Sequence, residues 1–172
     1  MYNYHESDLN SGRLKKGICR CGSDEKGKVF SLNGLVQGGV ILSPPEMEAP
    51  LTTPKVKSAS DPNPAGAGYG KTFIFAISEK HEIRIARDSD RNEPDAVKHE
   101  TLFHNADVLA AGEIAIDAGV VTGLNDHSGT YVTHGHLETN PEFLEAVLTA
   151  FTQNGVPLDP LLKERLTDLR NQ

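Results

Sequence analysis

The chain has 172 residues and a formal net charge of −7, with a pI near 5.4. That length allows one domain of ordinary size, or a smaller domain and a tail. The acidic balance makes nucleic acid an unfavourable partner, because phosphates are repelled wherever no basic patch offsets the charge. With 37% hydrophobic residues, 16 Gly, 10 Pro and no Trp, part of the chain is expected outside a packed core, and the core itself is expected to be mainly aliphatic.

The first residues, Met1 to Glu6, carry no apolar stretch of the kind a cleavable secretory signal uses. No run approaches the roughly 20 apolar residues that a bilayer span needs, so no membrane partner is expected. Residues 1–28 are polar, charged and punctuated by glycine. Their basic cluster, Arg13, Lys15, Lys16, Arg20, Lys26 and Lys28, reads more simply as a solvated, mobile arm than as a nucleic-acid contact. Cys19 and Cys21 are too close in sequence for an unstrained disulfide. They supply at most half of a zinc set, and free thiols in a mobile segment are the plainer reading.

Residues 29–42 are the apolar part of the N-terminal half. Asn33-Gly34, between two short β-prone runs, predicts a hairpin there, and a lone hairpin must dock to persist in water. From 43 to 70 the chain carries Pro44, Pro45, Pro50, Pro54, Pro62 and Pro64, then Gly66, Gly68 and Gly70. That composition stays extended and buries too little to offset ordering entropy. Residues 1–70 are therefore expected to be a flexible arm and linker, and residues 71–172 the folded domain.

Within that domain Phe73 to Ile77 reads as a buried strand, Ser78 to His81 as a turn, and Ile83 and Ile85 as one side of a half-exposed strand. A charged loop follows from Asp88 to Asp95. Gly112 to Ile116 and Val120 to Leu124 flank Asp117-Ala118-Gly119 as a hairpin, and Thr130 to Thr133 is a further strand candidate. Asn140-Pro141-Glu142 opens a helix with a good N-cap, a first-turn proline and an acid at the positive dipole end. Phe143, Leu144, Val147, Leu148 and Phe151 fall on one helical face, and Asn154-Gly155 ends the helix. Leu161 to Leu166 suggests a second, frayed helix.

The chemistry-bearing side chains concentrate between residues 99 and 136. His134 and His136 would share one face of a strand. They form either half of a metal site, completed from His99 or Asp126 for a metal-dependent hydrolase, or two exposed histidines before the helix. Ser128-Gly129 lacks the strand-to-helix elbow of a serine hydrolase and reads as a turn into a strand. Glu113 follows Ala110-Ala111-Gly112, whose small side chains admit a close neighbour. It is either an exposed edge carboxylate or an acid that orients a sugar or ribose hydroxyl.

Three pieces in order, His99-Glu100-Thr101-Leu102-Phe103, then Ala110-Ala111-Gly112-Glu113, then Ser128-Gly129-Thr130-Tyr131, give the stretch from about 71 to 160 a family likeness. It resembles a domain at the C-terminal end of bacterial polymorphic toxins and injected effectors, also present beyond the calmodulin-binding motif of plant IQ-motif proteins. That pattern runs His-Ser-Ser-Phe-Leu-Ala-Gly-Gly, Ala-Ala-Gly-Glu, Asn-Gly, Ser-Gly-His-Tyr. The glycine pair is Asn105-Ala106 here, and the second histidine is Thr130, which leaves His127 as its nearest stand-in.

The likeness implies a toxin or effector exported without a signal peptide, a cognate immunity protein, and His99, Thr101, Glu113, Ser128 and Tyr131 as site residues. Such a set fits an ADP-ribosyltransferase-like enzyme with NAD as substrate. His99 would orient or deprotonate a hydroxyl, Tyr131 would stack on a planar ligand, and Glu113, at the start of its strand, would polarise a ribose. A non-enzymatic interaction module is the alternative that the plant setting allows. The expected fold is α+β: a curved antiparallel sheet of about five strands. The 140–154 helix should pack across one face, its stripe against Ile74, Ile77, Ile114, Ile116 and Val121.

Overall fold

The computed structural model describes residues 29–48, 72–88, 97–126, 128, 131 and 140–172. Its centre is an antiparallel sheet of five strands: β1 (Phe30–Ser31), β4 (Thr72–Ile77), β5 (Ile83–Arg87), β6 (Ala110–Asp117) and β7 (Val120–Asn125). Their spatial order is β1-β5-β4-β6-β7. Two strands, β2 (Val36–Gln37) and β3 (Val40–Ile41), form a separate hairpin. The helical elements are α1 (Leu32–Leu35), α2 (Pro45–Glu48), α3 (His99–Leu102), α4 (Pro141–Gln153) and α5 (Pro160–Arg170).

The alternation of a strand sorts β4 into two faces. Phe73, Phe75 and Ile77 join the larger cluster with Ile83, Ile85, Ile114 and the helix residues Phe143, Leu144, Val147, Leu148 and Phe151. Phe75 meets Phe143 and Phe151 at ring-centroid distances of 6.2 and 6.4 Å, tilted by 58° and 66°, within the range that edge-to-face pairs favour. The helix stripe is buried as its spacing predicts, and Ile77, Ile114, Ile116 and Val121 are its partners. Ile74 is not. It points to the opposite face, into a second cluster with Ala76, Ala86, Leu102, Phe103, Val108, Ala111 and Tyr131, because it is out of phase with Phe73 and Phe75.

Helix α4 begins where expected: the Asn140 side chain accepts a hydrogen bond from the Phe143 N–H at 3.2 Å, a standard N-cap. Gly155, with φ of 65°, carries the chain out of it. The second helix is longer than its apolar pattern suggested, 11 residues from Pro160, because Asp159 caps it through the Leu161 and Leu162 N–H groups. The segment before α5 also covers the free side of β7. The Val121 N–H donates to the Pro157 carbonyl at 3.0 Å and the Asp159 N–H to the Val121 carbonyl at 2.8 Å, which protects an edge that would otherwise invite pairing.

Residues 29–48 belong to this body and not to an arm. β1 extends the sheet beyond β5, and Phe30, Leu32, Ile41 and Met47 are buried in the larger cluster. Apolar side chains that no composition of a linker would strand in water have found cover here. The hairpin in this stretch also turns elsewhere than expected. Asn33-Gly34 lies inside α1, and the chain reverses at Gly38-Gly39, where φ is 59° and 78°; consecutive positive φ values are what a two-residue hairpin turn needs. Asn33 instead ties distant segments together, since its side chain accepts from the Ile83 N–H at 2.9 Å and donates to Asn154 at 2.8 Å. The hairpin docks, as it must, through the Ile41 N–H to the Gly119 carbonyl at 2.8 Å. Residues 45–48, read as linker, make a helical turn. The charged loop from 89 to 95 and the Thr130–Thr133 strand candidate lie outside the described residues, apart from Tyr131.

Candidate functional site

The single turn α3 lies over the second face, where Leu102 and the following Phe103 pack against Ile74, Ala76 and Ala86. Alanines at these strand positions allow a helix and its following turn to approach closely. Arg84, on the same face of β5, fastens that turn. Its Nη1 donates to the Leu102 carbonyl at 3.0 Å, and its guanidinium stands 4.5 Å above the Phe103 ring, a cation–π distance.

His99 opens α3 and is buried. Its Nε2 lies 2.8 Å from the Gly112 carbonyl oxygen, and since a carbonyl only accepts, Nε2 carries the proton. Glu113 therefore follows directly on the residue that His99 holds. In register it faces Ile74 on β4 and Asn125 on β7, which sets it on the face that α3 covers. It does not begin its strand, as the sequence suggested, but sits in the middle of β6. Nor is it an exposed edge carboxylate: only 2% of it is accessible.

The Glu113 main chain and side chain are both held by one residue. The Asn125 side-chain oxygen accepts from the Glu113 N–H at 3.1 Å, and its Nδ2 donates to Glu113 Oε1 at 3.2 Å. Glu100 and Asp126 are buried as well, so His99, Glu100, Glu113, Asn125 and Asp126 all hold protected positions. Gly112 admits the close neighbour foreseen for it. A Cβ there would stand 1.9 Å from the Asn125 carbonyl oxygen, so it is β7 itself that approaches.

Tyr131 and Ser128 do other work. The Tyr131 ring is a core side chain, 1% accessible, and its hydroxyl donates to the Ala106 carbonyl at 2.7 Å. A ring packed this way is not a surface for a planar ligand, which corrects the stacking role expected of it. Ser128 Oγ accepts from the Tyr131 N–H at 3.0 Å, a local tie of the turn kind. Thr101 is half-buried in α3, where its N–H donates to the Lys98 carbonyl at 3.0 Å and its carbonyl accepts from His104. The structure thus ties His99 to the main chain of Gly112, next in sequence to Glu113, keeps Thr101 on the same turn as His99, and gives Tyr131 and Ser128 structural bonds.

Asn125 is the site residue that the motifs did not flag. An uninterrupted register from the Ala118-Gly119 turn would set Leu124 opposite Glu113. A shift between Ala115 and Ile116 in the pairing of β6 with β7 moves Asn125 there instead.

Among the described residues no group of three or more His, Cys, Asp or Glu side chains is arranged to hold a metal ion. His134, His136, Cys19, Cys21, His127 and Thr130 lie outside them. No helix of the described residues is long and apolar enough to cross a membrane. A shallow cavity of about 510 Å³ runs beside α4, lined by His81, Leu109, Glu142, Glu145, Thr149 and Arg170 among others; none of the predicted site residues lines it. No protein-family model, curated protein or solved structure matches the chain.

Proposed function

We propose that this chain is a toxin or effector that acts inside a target cell, with its working centre at His99 and Glu113 on the α3-covered face of the sheet. The observation that carries the reading is the 2.8 Å bond from His99 to Gly112. It joins the first two pieces of the toxin-like pattern through their most distinctive residues. A second observation agrees with it. One position of the pattern's glycine pair falls on Asn105, whose φ is 66°, and asparagine is among the few other residue types that tolerate the left-handed region.

In this reading Nε2 of His99 is committed to the Gly112 carbonyl, and the imidazole acts through Nδ1 to orient or deprotonate a hydroxyl. Glu113 supplies a carboxylate in a water-poor setting, where charge acts more strongly. The chemistry to test first is transfer of ADP-ribose from NAD, with Glu113 polarising a ribose hydroxyl. Delivery into the target cell and a cognate immunity partner belong to the same proposal.

Induced expression of the full chain in bacterial, yeast and plant cells should arrest growth in at least one of them. His99→Gln keeps a donor near the position of Nε2 but removes the titratable ring, and Glu113→Gln keeps size while removing charge. Each should restore viable counts by about 100-fold or more, the lower end of what an acid–base group contributes. Purified chain added to lysate should consume NAD and label a protein. Normal growth at high expression in all three hosts would sink the toxin reading.

One observation favours a second reading, a non-enzymatic interaction module. Both His99 and Tyr131 direct a side-chain hydrogen bond to a backbone carbonyl, as purely structural residues do. That module would bind its partner equally well with His99→Gln and Glu113→Gln combined, and would leave NAD untouched.

A further inference from the structure

We infer that Asn125 is a positioning residue for the Glu113 carboxylate, delivered to that place by the bulge in β7. The inference deepens the proposed function and rests on it.

Two independent features point the same way. The first is the bond pattern: one carboxamide grips both the N–H and the carboxylate of a single residue, at 3.1 and 3.2 Å. A side chain tied at both its root and its tip loses its rotamer freedom, which is what orienting a reactive group requires. Asn is suited to this because it presents an acceptor and a donor on one rigid plane. The second is the route by which it arrives. The register shift between Ala115 and Ile116 inserts one residue into β7, and bulges recur beside active sites, where they re-aim a side chain.

Without the bulge an apolar Leu124 would oppose Glu113. A carboxylate this buried is costly to keep ionised unless polar groups face it. With it, Leu124 joins Ile114 on the aliphatic side, and the amide takes the place beside the acid. The arrangement serves an acid that must stay in one orientation, not merely one that must be buried.

The test uses the full chain carrying Asn125→Asp. This variant keeps the oxygen that accepts from the Glu113 N–H and turns the donor to the carboxylate into an acceptor. With glutamate labelled at its carboxyl carbon, NMR follows the titration of Glu113 directly. Two carboxyls at this spacing share a proton, so the Glu113 midpoint should rise by more than about 1 pH unit relative to the unsubstituted chain. Asn125→Ser shortens the side chain, so that its single hydroxyl no longer spans both the N–H and the carboxylate, and adds no charge; it should raise the same midpoint by less, and serves alone if Asn125→Asp does not fold. Growth inhibition at neutral pH should fall about tenfold or more in a folded variant. The expected result is both changes together, and the lack of either one overturns the inference. Glu113→Gln separates the two levels: if that variant still arrests growth, the functional reading itself is wrong and this inference falls with it. If it does not, an unaltered Asn125→Ser strikes the inference alone.

Discussion

Toward α4 the sheet sends Phe73, Phe75 and Ile77 from β4 and Ile114 and Ile116 from β6; toward α3 it sends Ile74 and Ala76, then Ala111, Glu113 and Ala115. One face is filled by large aliphatic and aromatic side chains against a 13-residue helix. The other uses alanine to bring a single helical turn and polar side chains close to the backbone. The large side chains supply burial, which scales with apolar area. The small ones supply proximity, which lets His99 and Asn125 reach main-chain groups of β6. Stability and a candidate site are thus drawn from opposite sides of the same strands.

That contrast can be broken most forcefully at Phe75, which is fully buried between Phe143 and Phe151. Phe75→Ala should cost about 3–5 kcal/mol in chemical denaturation. A cost under about 1 kcal/mol would mean that the helix face does not carry the fold. The close approach of β7 to β6 beside Glu113 is more sensitive to addition than to removal. Gly112→Ala places a Cβ 1.9 Å from a main-chain oxygen, and β7 must move to admit it. The expected loss is about 3 kcal/mol, the upper end of ordinary overpacking, with Glu113 displaced from Asn125 in NMR spectra. A neutral Gly112→Ala would show that the two strands do not approach this closely.

The smallest effect is expected at Arg84, whose ties to α3 are local. Arg84→Met keeps the stem but loses the bond to Leu102 and the contact with Phe103, together about 1 kcal/mol. Hydrogen exchange should quicken in residues 99–105 while the α4 helix keeps its protection. Uniform loosening of both regions would erase the proposed division between the faces.

Much of this was legible in the chain itself. Helix α4 was written in Asn140, Pro141 and its apolar stripe, and the β6–β7 hairpin in Ala118-Gly119, where φ is 51° and 78°. Four of the sheet's five strands, β4 to β7, followed from short β-prone runs separated by turns. These features depend on neighbours a few residues apart, so local propensity and periodicity decide them. Asn33-Gly34 misled because a favourable turn pair was needed for long-range bonds to Ile83 and Asn154, while Gly38-Gly39 supplied the backbone angles. For Phe73 to Ile77, six buried positions in β4 hid which residues faced which helix; a strand covered on both sides shows no polar alternation to mark its faces.

The sequence by itself determined β4 to β7, the helices α4 and α5, the stripe that α4 buries and the residue types available for chemistry, because each is set within a few turns or one pleat. Only the tertiary structure decided that residues 29–48 complete the sheet and that Tyr131 is core. It alone decided that His99 holds Gly112, and that Asn125, not Leu124, faces Glu113. The physical reason is that these are contacts across strands and between separate segments. A single inserted residue in β7 changes every pairing beyond it, and no local signal in Val120 to Asn125 announces where the sheet will absorb it.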